Sequence, residues 1–258
     1  MDLSNNKYGF WILFSKTFEI LRNNAKYFLL ISLIIYLPLN IILEYFWQYL
    51  LSEDFTLKEL SNYTRLAGFL ENIIWVVAEI FIIFLVKSYI DKDLKTFKEY
   101  FNESLSLWGK WVLANIHYSI FVWFLLILLI IPWILFAVYW IFFLQILVLK
   151  WKDFDYLKHS KELVKWNWWN VFFNIFILYL ILFIIAFILG SIQGYYYIYL
   201  DNIYVDILVG TFIDYANIFI YIFITLKFLN LDWIKNKKKE EEQDKEKNEI
   251  KVEEDVEL

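Results

Sequence analysis

The chain has no cysteine, and only 6 glycines, 2 prolines and 2 histidines among its 258 residues. Without cysteine there can be no disulfide, no thiolate metal site and no cysteine nucleophile. His117 and His159 are too few to build a zinc site. So little glycine and proline leaves scant material for a turn-rich β architecture. The roughly ten-residue alternating segments of an outer-membrane barrel are also missing. There is no basic excess, since the net charge is -5, so a nucleic-acid partner has no electrostatic support. No G-x-x-x-x-G-K-[ST], H-E-x-x-H or G-x-S-x-G occurs, which removes the usual marks of P-loop NTPases, zinc proteases and α/β-hydrolases. The chain is therefore expected not to be an enzyme and to carry no catalytic, cofactor-binding or metal-ligating set.

What the chain does have is apolar surface. It is 61% hydrophobic and 22% aromatic, with a mean hydropathy of +0.52, well above the apolar share of a soluble domain. Continuous apolar runs and many aromatics fit an α-helical membrane protein with two lipid interfaces to anchor. The richness in Ile, Lys, Asn, Phe and Tyr is what an AT-rich genome encodes, and suggests a bacterial source. A span needs roughly 20 apolar residues. Runs at 27–47, 67–86, 170–190 and 207–229 each give one. The run 112–149 would form a helix of roughly 57 Å, too long for one crossing. Pro132 near its middle suggests a hairpin of two spans. The expected fold class is thus an all-α bundle of six transmembrane helices. Its parts are an N-terminal amphipathic segment (1–26), the membrane domain (27–230) and a charged, solvated, disordered tail (231–258).

Lysine and arginine set the orientation. Of 24 such residues, 22 fall in alternate segments, and only Lys58 and Arg65 fall in the others. Both termini should then face the cytoplasm, in the plasma membrane. The first apolar run begins late, is too long for a signal-peptide core and has no A-x-A-like site after it, so a retained signal anchor is expected.

Each inward-facing segment carries a helical pattern ahead of the next span. Phe10, Phe14, Phe18 and Leu21 form one stripe, and Leu94, Phe97, Phe101, Leu105 and Trp108 another. In the third, Lys158, Lys161 and Lys165 oppose Tyr156 and Leu163. Such patterns suit helices lying in the membrane interface. Eight of the 13 tryptophans lie in or beside these segments, at the level an indole prefers. The alternative is that these helices pack on one another rather than on lipid.

The stretch L-V-L-K-W-K-D-F-D-Y-L-K-H-S-K-E-L-V-K-W-N-W-W, 147–169, resembles a recurrent segment of uncharacterised bacterial six-helix membrane proteins. These include the membrane domain sometimes fused to glycerophosphodiester phosphodiesterases. Ser160, Leu163, Trp168 and Trp169 match that motif. The family often has Pro-Gly between its third and fourth spans, whereas Trp133 follows Pro132 here, and the family's Gly after the Ser-Leu motif is absent. The resemblance implies a similar six-helix fold and carries over no catalytic residue.

Inside the apolar runs, Glu79 and Asp214 are the notable charges. A charge at mid-bilayer costs about 2.5–3.5 kcal/mol on insertion scales and marks a functional site by default. Their estimated depths allow contact, so a shared proton or a bound cation is one reading. The other is structural: His117 and Asn217, with Asn72, Asn115, Gln145 and Asn174, supply ordinary interhelical hydrogen bonds. Gly190 and Gly194 form a weak G-x-x-x-G. Lys235, Lys237, Lys238 and Lys239 would be drawn to anionic lipid. Two functions follow. One is a non-catalytic accessory or organising component of the cell envelope, with a membrane-protein partner. The other is a small transporter or permease-like subunit with the carboxylates on its path. Broken helices at the midplane would favour the transporter. Both prolines read as lying toward outer halves or turns, which favours the accessory role.

Overall fold

The computed structural model describes residues 7–52, 55–128, 130–150, 156–200 and 203–256. All regular structure among them is helical: α1 (Phe10–Asn23), α2 (Ala25–Ile31), a five-residue π-helical segment (Ser32–Tyr36), α3 (Leu37–Ser52), α4 (Leu57–Asp91), α5 (Phe97–Leu128), α6 (Ile130–Tyr139), α7 (Phe143–Leu149), α8 (Tyr156–Lys165), α9 (Trp168–Leu200) and α10 (Ile203–Val256).

This is a multi-pass membrane protein, but six spans are not found. Among the described residues four helices are long and apolar enough to cross: Ala25–Leu50, Leu57–Asp91, Trp168–Ser191 and Ile203–Asp244. The error lies in 112–149. Pro132 lies inside a helix that begins at Ile130. It is the third residue of α6, in a first turn whose N–H groups need no helical partner. A turn at Trp140–Phe142 interrupts the helix, and among the described residues the apolar stretch Ile134–Leu149 is shorter than a span. Residues 142–148 are all buried, with α7 against α4, α5 and α8. A helix apolar on every side can be buried in protein as well as in lipid, and hydropathy does not separate the two. The unit read as an interfacial helix followed by a span at 97–128 is one helix. It starts with a Thr96/Glu99 capping pair: Thr96 N–H donates to Glu99 Oε2 at 2.7 Å, and Glu99 N–H to Thr96 Oγ1 at 3.4 Å.

α10 is the axis of the bundle. From 218 to 232 only Tyr221 is less than buried, because α1, α3, α4, α8 and α9 surround it. The amphipathic helices bury a slightly different stripe from the one read in the sequence. α1 buries Phe10, Leu13, Thr17 and Ile20, and Phe18 is 52% exposed. Phe10 meets Phe223 at 5.5 Å and Phe14 meets Phe219 at 5.0 Å. At the start of α5, Tyr100 and Ser104 are buried while Leu94, Leu105 and Trp108 are exposed. α10 then continues as helix to Val256, where a disordered segment was expected from 231. Leu231 and Asp232 are still buried. Further on, Glu241 and Lys245 stand four apart, a spacing that supports an exposed helix.

Candidate functional site

Three helices bring polar residues to one level of the bundle, spaced three or four positions apart along each helix. The first span contributes Tyr36 and Asn40, α4 contributes Trp75 and Glu79, and α10 contributes Asp214, Asn217 and Tyr221. Residues three or four apart share a helix face, so each set points the same way. Glu79, Asp214 and Asn217 thus line one pocket with Tyr36, Trp75 and Tyr221. The pocket is closed, with no space for a water molecule.

Within it the two carboxylates take separate partners. Tyr221 Oη donates to Glu79 Oε1. Asn40 Nδ2 donates to Asp214 Oδ2 at 2.5 Å and to the Tyr36 carbonyl at 2.9 Å. Asp214 is 5% exposed. Trp75 packs edge-on against Tyr36, with ring centroids 6.1 Å apart. Its indole N–H is buried without a partner among the described residues. Such an orphan donor calls for a cause, which can be functional.

The local backbone explains how Tyr36 and Asn40 reach this place. Pro38 cannot donate a backbone hydrogen bond, and its ring crowds the carbonyl four residues back. The helix widens ahead of it: the Leu37 N–H donates to the Ser32 carbonyl, five residues earlier. That π segment lies in the middle of Ala25–Leu50, not toward an outer half as the proline's position had suggested. Such bulges are frequent at functional sites. Across from it, Gly210 has no side chain where Asn40 leans on α10, and a Cβ there would stand 2.9 Å from Asn40 Oδ1.

A second polar group lies toward the opposite end of α10. Lys227 is fully buried and donates to Asn170 Oδ1 and, at 3.1 Å, to the Tyr8 carbonyl. Asn230 Oδ1 accepts from the Tyr8 N–H at 3.0 Å. Asp232, 3% exposed, accepts from Lys150 at 2.5 Å, and His159 Nε2 stands 3.4 Å from the same oxygen. Sequence reasoning missed this group. Lys227 was counted as a membrane flank and Asp232 as tail. The available signal was that both stand within six residues on a helix still flanked by Phe228, Leu229 and Leu231. On α8, outside the spans, Glu162 accepts from Lys235 at 2.8 Å, and this bond holds the Glu162 carboxyl below the usual carboxylate range.

The other expected residues scatter. The side chains of His117 and Asn115 lie outside the described residues. Asn72 is exposed and bonds its own helix at the Gly68 carbonyl, 2.6 Å away. Asn174 is buried and donates to Asn170 at 3.4 Å. Gln145 is buried with Oε1 unpartnered among the described residues. Among the described residues nothing stands within 4 Å of the Cβ positions of Gly190 or Gly194. Of the motif residues, Ser160 is buried and donates to the Tyr139 carbonyl at 2.7 Å. Leu163 is buried, Trp168 is half-buried and Trp169 is 66% exposed. Comparison with family models, curated proteins and solved structures finds no match. The likeness of 147–169 to the phosphodiesterase-linked membrane domains therefore rests on those motif residues alone.

Proposed function

We propose that this protein conducts a proton or a small cation across the membrane, with Glu79 and Asp214 on the path, and that it does so without catalytic chemistry. The observation that carries this reading is the placement of two carboxylates at one closed pocket, each satisfied only by a neutral donor, beside a π-helical break in the first span. Irregular backbone inside a span is tolerated where it lines a cavity or a site. A carboxylate with a neutral partner can gain or lose a proton, or exchange its partner for a cation, without breaking an ion pair. The closed pocket is then one state of a cycle that opens to either side. The protein would lie in a bacterial plasma membrane with both termini in the cytoplasm, and Lys235, Lys237, Lys238 and Lys239 would be drawn to its anionic leaflet.

The test is flux. The intact chain is reconstituted into liposomes holding a pH-sensitive dye, and proton entry is driven by a valinomycin-set potassium potential. The wild type should acidify the lumen faster than empty liposomes, and Glu79→Gln or Asp214→Asn should remove the excess. Sodium and potassium uptake are followed in parallel. Equal rates for all ions in wild type, double variant and empty liposomes would refute conduction.

One observation favours the second reading, an accessory protein that organises envelope partners: the pocket holds no space for water. Under that reading Glu79 and Asp214 are interhelical fastenings.

A further inference from the structure

We infer that the groove between α6 and the start of α9 is a binding site for one anionic glycerophospholipid, its phosphate held by Lys7 and Lys165 over a tryptophan shelf. The groove encloses about 710 Å³. Lys7, Lys165, Trp166, Trp168 and Trp169 line it. An adjoining cavity of about 410 Å³ shares Lys7 and Lys165 and adds Lys235 and Lys238. Four lysines therefore face the two cavities against one carboxylate, Glu162, which Lys235 already engages. The balance suits an anion.

The level is that of a headgroup. Trp168 opens the span Trp168–Ser191. Trp166 and Trp169 are 83% and 66% exposed, which in a bilayer places indoles at the polar boundary. Lys165 Nζ stands 5.5 Å over the Trp166 ring. Polar atoms wait there too. The Trp168 indole N–H and Asn167 Oδ1 are buried and have no partner among the described residues. The first can donate to a phosphate oxygen, and the second can accept from a headgroup hydroxyl such as that of glycerol. Next along α9, an apolar cavity of about 620 Å³ lined by Val138, Ile141, Phe172 and Phe176 lies between the same two helices and offers room for an acyl chain. A soluble phosphate would use only the polar end. The apolar cavity and the Trp shelf favour the lipid.

This inference does not depend on the conduction reading. Its test is native mass spectrometry of the full chain in mild detergent, titrated with phosphatidylglycerol or phosphatidylcholine. The wild type should retain one phosphatidylglycerol in preference to phosphatidylcholine. Lys7→Gln with Lys165→Gln should lower that preference roughly tenfold or more. Lys26→Gln with Lys98→Gln, two exposed lysines elsewhere, should leave it unchanged. Trp169→Ala, which removes a largely exposed side chain, should also weaken retention, and its circular dichroism should match that of the wild type. Retention by the Lys7/Lys165 variant equal to wild type would overturn the site. An equal loss in the Lys26/Lys98 variant would reduce it to diffuse charge and overturn it as well. Displacement of the lipid by glycerol 3-phosphate at equal concentration would show a soluble-phosphate site and overturn the lipid assignment.

Discussion

The two polar groups along α10 differ in how their charges are satisfied. Near the C-terminal end of the apolar run, Asp232 faces Lys150 and His159, and Lys227 is held by Asn170 and the Tyr8 carbonyl. One level deeper, Glu79 and Asp214 have only Tyr221 and Asn40. A buried charge that has its counter-charge, as Asp232 has in Lys150, is costly to disturb, while the acceptors that hold Lys227 are neutral. A buried carboxylate with a neutral donor can change protonation at little structural cost. The first group fastens the helices and the N-terminal segment together, and the second is free to react to an ion. Charge burial alone, common to both, does not mark function.

The largest expected effect breaks the fastening. Asp232→Ala strips the counter-charge from Lys150, and loss of one partner from a buried pair costs about 3–5 kcal/mol. Lys150 is 33% exposed and can turn toward water, so the loss should fall at the low end of that range. A thermal unfolding scan in detergent would read it. Glu79→Gln should shift the same transition far less, and a Glu79→Gln loss as large as that of Asp232→Ala would erase the distinction between the regions. An intermediate effect is expected at Gly210. A Cβ there meets Asn40 Oδ1 at 2.9 Å, and Asn40 is pinned by its bonds to Asp214 and Tyr36. Gly210→Ala should cost about 1–3 kcal/mol by overpacking. Most of that should vanish in an Asn40→Ala background, so a double-mutant cycle shows strong coupling. Additive losses would mean that Asn40 does not hold this position.

The smallest effect concerns Glu162 and Lys235. The carboxyl pKa is lowered in the folded protein, first by the Lys235 hydrogen bond. The tie is therefore fully present above the unfolded carboxyl pKa of about 4 and is lost as pH falls through the lower folded value. Both side chains are partly exposed, so the contribution is under about 1 kcal/mol. Glu162→Gln should abolish the acid-side change in protease protection of the α8–α10 contact at low pH and leave neutral behaviour almost unaltered.

Much of this was legible in the sequence, and the failures are instructive. Four of the apolar runs are spans. Glu79, Asp214 and Asn217 share a pocket, as their depths and spacing allowed. The lysine alternation could not support six over four. The hairpin at 112–149 has no lysine or arginine at its turn, so removing it changes neither the parity nor the side on which each loop falls. Pro132 misled because a proline in the first turn of a helix is tolerated, while Pro38 was underrated although it lies at mid-span. The amphipathic stripes shifted by a residue because α1 and α5 pack on other helices, so their buried faces are set by Phe223, Phe219 and α4 rather than by lipid alone. The Lys227–Asn170 and Asp232–Lys150 pairs join residues 57 and 82 positions apart, which no local pattern reveals.

The absence of cysteine makes the decisive measurement direct. Asn217→Cys places a single thiol in the pocket, and Leu180→Cys places one on the exposed apolar face of α9. With the protein in sealed liposomes, a membrane-impermeant thiol reagent should modify Asn217→Cys from at least one side, and faster when an ion gradient is imposed, while Leu180→Cys stays unmodified. If the pocket thiol proves as unreactive as the lipid-facing one under every gradient, no water reaches Glu79 and Asp214, and they serve only to hold the helices together.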